Sequence, residues 1–94
     1  MKVEKEAIQH SIDRLIPKYL ENRNRDIKYI YSAIEDGEFN IIKRLAHNIK
    51  GSGENYGFPK MSEIAKNIEE SARSLDKISI IKYTDELQDY LNGL

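Results

Sequence analysis

Glu38-Phe39-Asn40-Ile41-Ile42-Lys43-Arg44-Leu45-Ala46-His47-Asn48-Ile49-Lys50-Gly51-Ser52-Gly53-Glu54-Asn55-Tyr56 is the stretch on which the reading of the fold turns. Its apolar residues Ile41, Ile42, Leu45 and Ile49 recur at three- and four-residue intervals, the signature of one buried helix face. With His47 at zero on a wheel of about 100° per residue, Leu45 and Ile49 fall roughly 160° to either side. Ile41, Ile42, Ser52 and Tyr56 share that far half. The apolar seam therefore faces away from His47. The residues one or two turns from the imidazole on its own face are Lys43, Arg44, Lys50, Gly51 and Glu54.

The helix is expected from about Glu38 toward Tyr56, with Gly57 ending it. Gly51 and Gly53 are out of place inside such a helix, because each costs about 1 kcal/mol relative to Ala. Two readings follow. Either the helix continues and Gly51 clears room for another surface to approach His47, or it frays near Gly51, with Gly53 as its C-cap and Glu54 to Gly57 as a loop.

Working outward, glycine and proline punctuate the rest of the chain. Ile8, Ile12, Leu15 and Ile16 form a first helical stripe, expected to end at Ile16-Pro17 because the residue before proline is pushed out of the α region. Pro17 suits the first position of a second helix, whose stripe is Leu20, Ile27, Tyr31 and Ile34 and which stops at Asp36-Gly37. After Gly57, Pro59 opens a further helix with Ile64, Ile68, Ala72 and Leu75. Asp76 is a candidate N-cap for the last one, which carries Ile80, Thr84, Leu87 and Leu91. No segment alternates apolar and polar residues between hairpin turns, so no strand is expected. The expected fold is all-α: an antiparallel up-down four-helix bundle with an additional N-terminal helix.

Composition narrows the function. Ninety-four residues make a single domain, 1–94. The absence of Cys removes disulfides, thiolate chemistry and Cys-based zinc sites. Fifteen Lys and Arg against sixteen Asp and Glu give a net charge of −1, which argues against a nucleic-acid binder that must neutralise phosphates. No apolar run approaches a membrane span, and the charged start Met1-Lys2-Val3-Glu4-Lys5-Glu6 lacks the apolar core of a signal peptide. A cytoplasmic monomer that binds neither nucleic acid nor membrane is the expectation. His10 lies off the Ile8–Ile12 stripe and reads as a surface residue, and no metal site is expected.

His47 is the chemically distinctive residue. A neutral imidazole is a nucleophile near physiological pH. Lys43, Arg44 and Lys50 around it suit the arrival of a phosphoryl group. An exposed His with no role is the bland alternative, and it would leave a non-catalytic helical interaction adaptor in signalling.

The run Ala46-His47-Asn48-Ile49-Lys50-Gly51-Ser52-Gly53, followed by Tyr56-Gly57-Phe58 and then by Ile68-Glu69, resembles the histidine-containing phosphotransfer (HPt) domains of two-component phosphorelays. The resemblance covers most of the chain. It implies that His47 is the phosphoacceptor, that Lys50 stabilises the phosphate, and that Gly51 lets the partner's active site close over the imidazole. Gly53 and Gly57 match positions that are small or glycine. Lys43, Arg44, Gly51 and Glu54 are expected to meet the docked partner, and exposed Tyr29 is a further candidate. The implied function is that of a phosphorelay intermediate rather than an enzyme. His47 accepts a phosphoryl group from a receiver-domain aspartate or a kinase and passes it to another receiver. The partners implied are response-regulator receiver domains and a sensor or hybrid histidine kinase. No cofactor is expected in this chain, with Mg²⁺ belonging to the receiver, and the lack of a phosphate-binding glycine loop gives no sign of ATP binding. The sequence departs from the family in two places. Gly37 is followed by Glu38 where Asp is usual, a poorer N-cap. Gly53 stands where Ala or Ser is common, and is expected to loosen the helix end. Met1 and the closing Tyr90-Leu91-Asn92-Gly93-Leu94 suit a free-standing protein, though a domain cut from a larger kinase would share the chemistry.

Overall fold

The computed structural model describes the backbone of residues 2–94 and the side chains of residues 13–94. It contains α1 (Lys2–Asp36), α2 (Phe39–Gly53), α3 (Pro59–Arg73) and α4 (Lys77–Asn92), with no strand among the described residues. α1 packs on α2 and α4, α2 on α3, and α3 on α4.

The expected break at Ile16-Pro17 does not occur. Pro17 lies inside α1, and there is no separate N-terminal helix. Proline removes one donor from the ladder and crowds the preceding turn. Pro17 is exposed, so water can stand in for that donor, and the helix runs on for 35 residues. α1 thus outruns its 15- and 16-residue partners. The molecule measures 48 × 20 × 19 Å. Leu15 was expected on a buried stripe but is exposed. Ile8, Ile12 and His10 lie outside the residues whose side chains are described.

The other stripes form the core. Ile27 and Ile34 of α1, Ile42 and Ile49 of α2, and Ile64 and Ile68 of α3 are buried, as are all four expected residues of α4, Ile80, Thr84, Leu87 and Leu91. Leu20, Tyr31, Ile41 and Leu45 are half-buried against it, and Ile30 and Tyr19 join it. Polar contacts fix α1 against α4. The Tyr31 hydroxyl donates to Asp85, and Gln88 Nε2 donates to Asn24 Oδ1 at 3.3 Å.

Three helix ends close in the same way. Glu38 N–H reaches Ala33 O (2.9 Å) and Gly37 N–H reaches Ile34 O (3.2 Å). Phe58 N–H and Gly57 N–H make the same pair to Gly53 O (2.8 Å) and Glu54 O (3.0 Å), and Asp76 and Leu75 repeat it to Ser71 O (2.9 Å) and Ala72 O (3.1 Å). This is the Schellman pattern, which puts one residue in the left-handed region. Those residues are Gly37 (φ 70°), Gly57 (φ 91°) and Leu75 (φ 56°). Leu75, expected on the α3 stripe, is exposed because it is this reversing residue. Asp76 caps α4 as expected, accepting from the Ser79 N–H at 3.1 Å. Glu38 makes no side-chain cap on α2.

Candidate functional site

α2 is positioned from both ends. At its start the turn after α1 reverses on Gly37. Beyond its end, Tyr56 stacks on Tyr19 of α1 with ring centroids 3.9 Å apart, and Phe58 lies parallel to the same ring at 6.3 Å. The Tyr19 hydroxyl meets Ser52 Oγ at 2.7 Å, and Arg23 Nη1 donates to that oxygen at 3.3 Å. Regular helix stops at Gly53, short of the expected Tyr56. One further turn follows, in which Tyr56 N–H still reaches Ser52 O at 3.2 Å, and Gly57 closes it. The chain therefore takes a middle course between the two readings: the ladder changes at Gly53, yet Tyr56 keeps its place on the seam.

With α2 held in this way, His47 projects from the side opposite the seam, and its side chain is 64% exposed. Its Nδ1 lies 2.8 Å from Glu69 Oε2. The other oxygen of that carboxylate accepts from Lys50 Nζ at 2.7 Å. Glu69 comes from α3, and its side chain is only 7% exposed. Burial pushes the Glu69 carboxyl up, but the hydrogen bonds and charges of Lys50 and His47 outweigh it and hold its pKa below the ordinary glutamate value. Glu69 is thus ionised at neutral pH and can only accept, so the shared hydrogen belongs to Nδ1. In the neutral ring this leaves the lone pair on Nε2, away from the carboxylate.

The other expected site residues are spread over α1, α2 and the turn that follows α2. Gly51 is exposed, and a Cβ there would meet nothing within 4 Å. Arg44 lines a groove between α1 and α2 with Tyr29, Asp36 and Leu45. Lys43 is half-buried. Glu54 lines a second groove with Lys50, Ser62 and Lys66, beside α3. Tyr29 is exposed. Gly57 reverses the chain after α2.

Gly53 ends the regular helix and also has a packing role: it is buried, and a Cβ there would overlap Ser62 Oγ and press on Ser62 N (3.1 Å) and Phe58 O (3.2 Å). Its missing side chain lets α2 and α3 approach closely. Among the described residues no group of three or more His, Cys, Asp and Glu side chains could hold a metal ion. No helix among them is long and apolar enough to cross a membrane.

Glu69 is the functional residue that periodicity did not single out. Its signal lay in α3, where Ser62, Ala65 and Glu69 follow one another at i, i+3 and i+7 and are all buried. An acid continuing a row of small buried residues must have partners, because a buried charge without them is costly.

Set beside known families, the chain matches the family model described as the Hpt domain over residues 14–94. No curated protein and no solved structure matches it.

Proposed function

The chain belongs to the Hpt domain family, and from that premise we propose that it carries phosphoryl groups on His47 between receiver domains. Hpt domains take part in histidine phosphotransfer within two-component phosphorelays, where they interact with receiver domains and histidine kinases. The observation that supports His47 as the acceptor is its pairing with Glu69. A buried, ionised carboxylate on Nδ1 leaves the exposed ring a lone pair at Nε2.

The step follows from that geometry. Nε2 attacks the phosphorus of the receiver's aspartyl phosphate in line, an N–P bond forms, and the P–O bond to the aspartate breaks. The aspartate leaves as a carboxylate. The proton stays on Nδ1, and the positive charge that develops on the ring faces Glu69. Lys50 shares that carboxylate and sits one turn from His47, placed to neutralise the arriving phosphate. Return to an aspartate is the reverse. Mg²⁺ is assigned to the receiver's own site, where it would offset phosphate charge. Catalysis is then mostly positioning and charge neutralisation, and the chain acts as a carrier without an ATP site.

Docking is assigned to the His47 face, with Gly51 as the clearance and Lys43, Arg44, Glu54 and Tyr29 around it. We take the helices to form an antiparallel up-down bundle and residues 1–94 to form one domain. The pairing of residue 24 with 88 and of residue 31 with 85 runs in the sense that arrangement requires. A cytoplasmic monomer remains the expectation from the charge balance.

The test is incubation with a panel of phosphorylated receiver domains. Acid-labile, base-stable label that is absent from a folded His47→Gln variant is the expected result. If no receiver labels the folded protein, the chain is an adaptor in which His47 has no chemical role.

A further inference from the structure

The ladder of α2 is altered immediately after the site. The Glu54 N–H, which would close a helical bond on Lys50 O, donates instead to Ser62 Oγ at 2.9 Å. The same hydroxyl donates to Lys50 O at 2.8 Å. A side chain of α3 is therefore inserted into the backbone of α2, a recognised way of altering the course of a helix. It fits only because Gly53 presents no Cβ to Ser62.

The carbonyl it holds belongs to Lys50, whose ammonium is bonded to Glu69, whose other oxygen holds His47. Ser62 and Glu69 are seven residues apart on α3, two helical turns, and so lie on the same face. One helix thus grips the other at two points. Glu69 takes the side chains of His47 and Lys50, while Ser62 takes the backbone of Lys50 and Glu54. A single grip, added to the apolar packing, would leave the site end of α2 less closely fixed against α3. Two grips of this spacing fix both its register and its rotation. The buried hydroxyl has both a donor and an acceptor satisfied, so the contact is specific in direction as well as in distance.

We propose that Ser62 is a positioning residue for phosphotransfer: its hydroxyl, seated against Gly53, sets the backbone of Lys50 so that Lys50 and Glu69 hold the imidazole of His47 in its reactive orientation. The proposal rests on His47 being the phosphoacceptor. Without the hydroxyl, the Glu54 N–H is free to close on Lys50 O. The Lys50 carbonyl then loses its tie to α3, and the Lys50 side chain is no longer held in register with Glu69.

The experiment uses the full chain and two variants, Ser62→Ala and the swap Gly53→Ala/Ser62→Gly. The swap returns a carbon to the space the hydroxyl vacates without the hydrogen bonds, in tight contact with the backbone of residues 58 and 62. Two quantities are read. One is the 15N signal of His47 Nδ1 in the unphosphorylated protein, well below its melting temperature. The other is the rate of phosphoryl transfer from a phosphorylated receiver, separated into kcat and KM. The expected result for both variants is a displaced Nδ1 signal and a kcat lowered about tenfold, within the range for misplacing a reacting group. KM for the receiver should stay unchanged. A wild-type Nδ1 signal and wild-type kcat in either folded variant overturn the proposal and leave Ser62 a packing residue. If Ser62→Ala does not fold, the swap decides alone. If the wild-type protein accepts no phosphate, the phosphotransfer reading fails, while the Nδ1 signal still reports whether Ser62 positions the imidazole.

Discussion

Gly51 and Gly53 lie in the same helix, with only Ser52 between them. Both lower helix propensity by the same amount, about 1 kcal/mol against Ala. One faces open solvent on the His47 side, where a Cβ would meet nothing within 4 Å. The other is buried, and a Cβ would collide with Ser62. The fold requires Gly53, because α3 could not otherwise come close enough for Ser62 and Glu69 to reach α2. It does not require Gly51. A helix-weakening residue that the chain's own packing does not demand fits the docking proposed above, in which a partner closes over His47. The buried face of α2 builds the site, and the exposed face presents it.

The largest effect is expected on the buried side, at Glu69. Glu69→Gln keeps the size of the side chain but removes the charge that fixes the hydrogen on Nδ1. Transfer should fall by up to about 100-fold, the scale for misplacing a reacting group, and receiver-loading kinetics measure it. The same variant has a pH signature. The Glu69 pKa is lowered in the folded state, so its contribution to stability is present above the unfolded value of about 4.3 and is lost as pH falls through the lower folded value. Denaturation midpoints of wild type and Glu69→Gln should therefore converge as the pH is taken from neutral down through that range. A gap that stays constant would mean the carboxylate is not ionised by its partners.

Next comes Gly53→Ala. Overfilling a packed contact costs roughly 1–3 kcal/mol, and the gain in helix propensity offsets only part of it. Urea denaturation should show the loss. An unchanged midpoint would mean that α2 and α3 can separate without penalty, and the distinction between the two glycines would collapse.

Gly51→Ala should do the opposite. In open space the alanine gains up to about 1 kcal/mol of helix propensity, so the protein becomes more stable. Loading from a receiver should nonetheless slow, through a higher KM, because the new methyl stands where the partner closes. A variant both more stable and equally active would show that the exposed glycine has no part in docking.

Much of this was legible in the sequence, and the misses have physical causes. The face of α2 was readable because four isoleucine and leucine positions fix its rotation, and that alone put His47 outside the core. The boundaries at Gly37, Pro59 and Asp76 were marked by residues whose backbone preferences are local. Pro17 misled because a local preference was overridden. One missing donor on an exposed helix face is a small loss against the 35 residues of α1. Gly53 and Glu69 were harder, because each takes its meaning from α3. A helical wheel of α2 shows that Gly53 lacks a side chain, but not that Ser62 occupies the space. Periodicity marks Ile68 as core, but not that its neighbour is buried with two partners.

Leu75 gives the smallest effect and a control for the glycine argument. It occupies in α3 the position that Gly37 and Gly57 occupy at the ends of α1 and α2, with φ 56° and its side chain exposed. An L-residue in the left-handed region carries a strain of roughly 1–2 kcal/mol that glycine avoids. Glycine also gives back some of that gain, because its unfolded chain is more flexible. Leu75→Gly should therefore stabilise the protein by less than about 1 kcal/mol, within reach of a thermal melt. Transfer should not change, because Leu75 is exposed and belongs to the α3–α4 connection. Gly51→Ala and Leu75→Gly are thus both expected to raise stability, one by removing a glycine and one by adding it, and only the first should alter phosphotransfer. If Leu75→Gly slowed loading as well, stability gained anywhere in the bundle would be enough to impede the partner, and the effect of Gly51→Ala could no longer be assigned to the methyl beside His47.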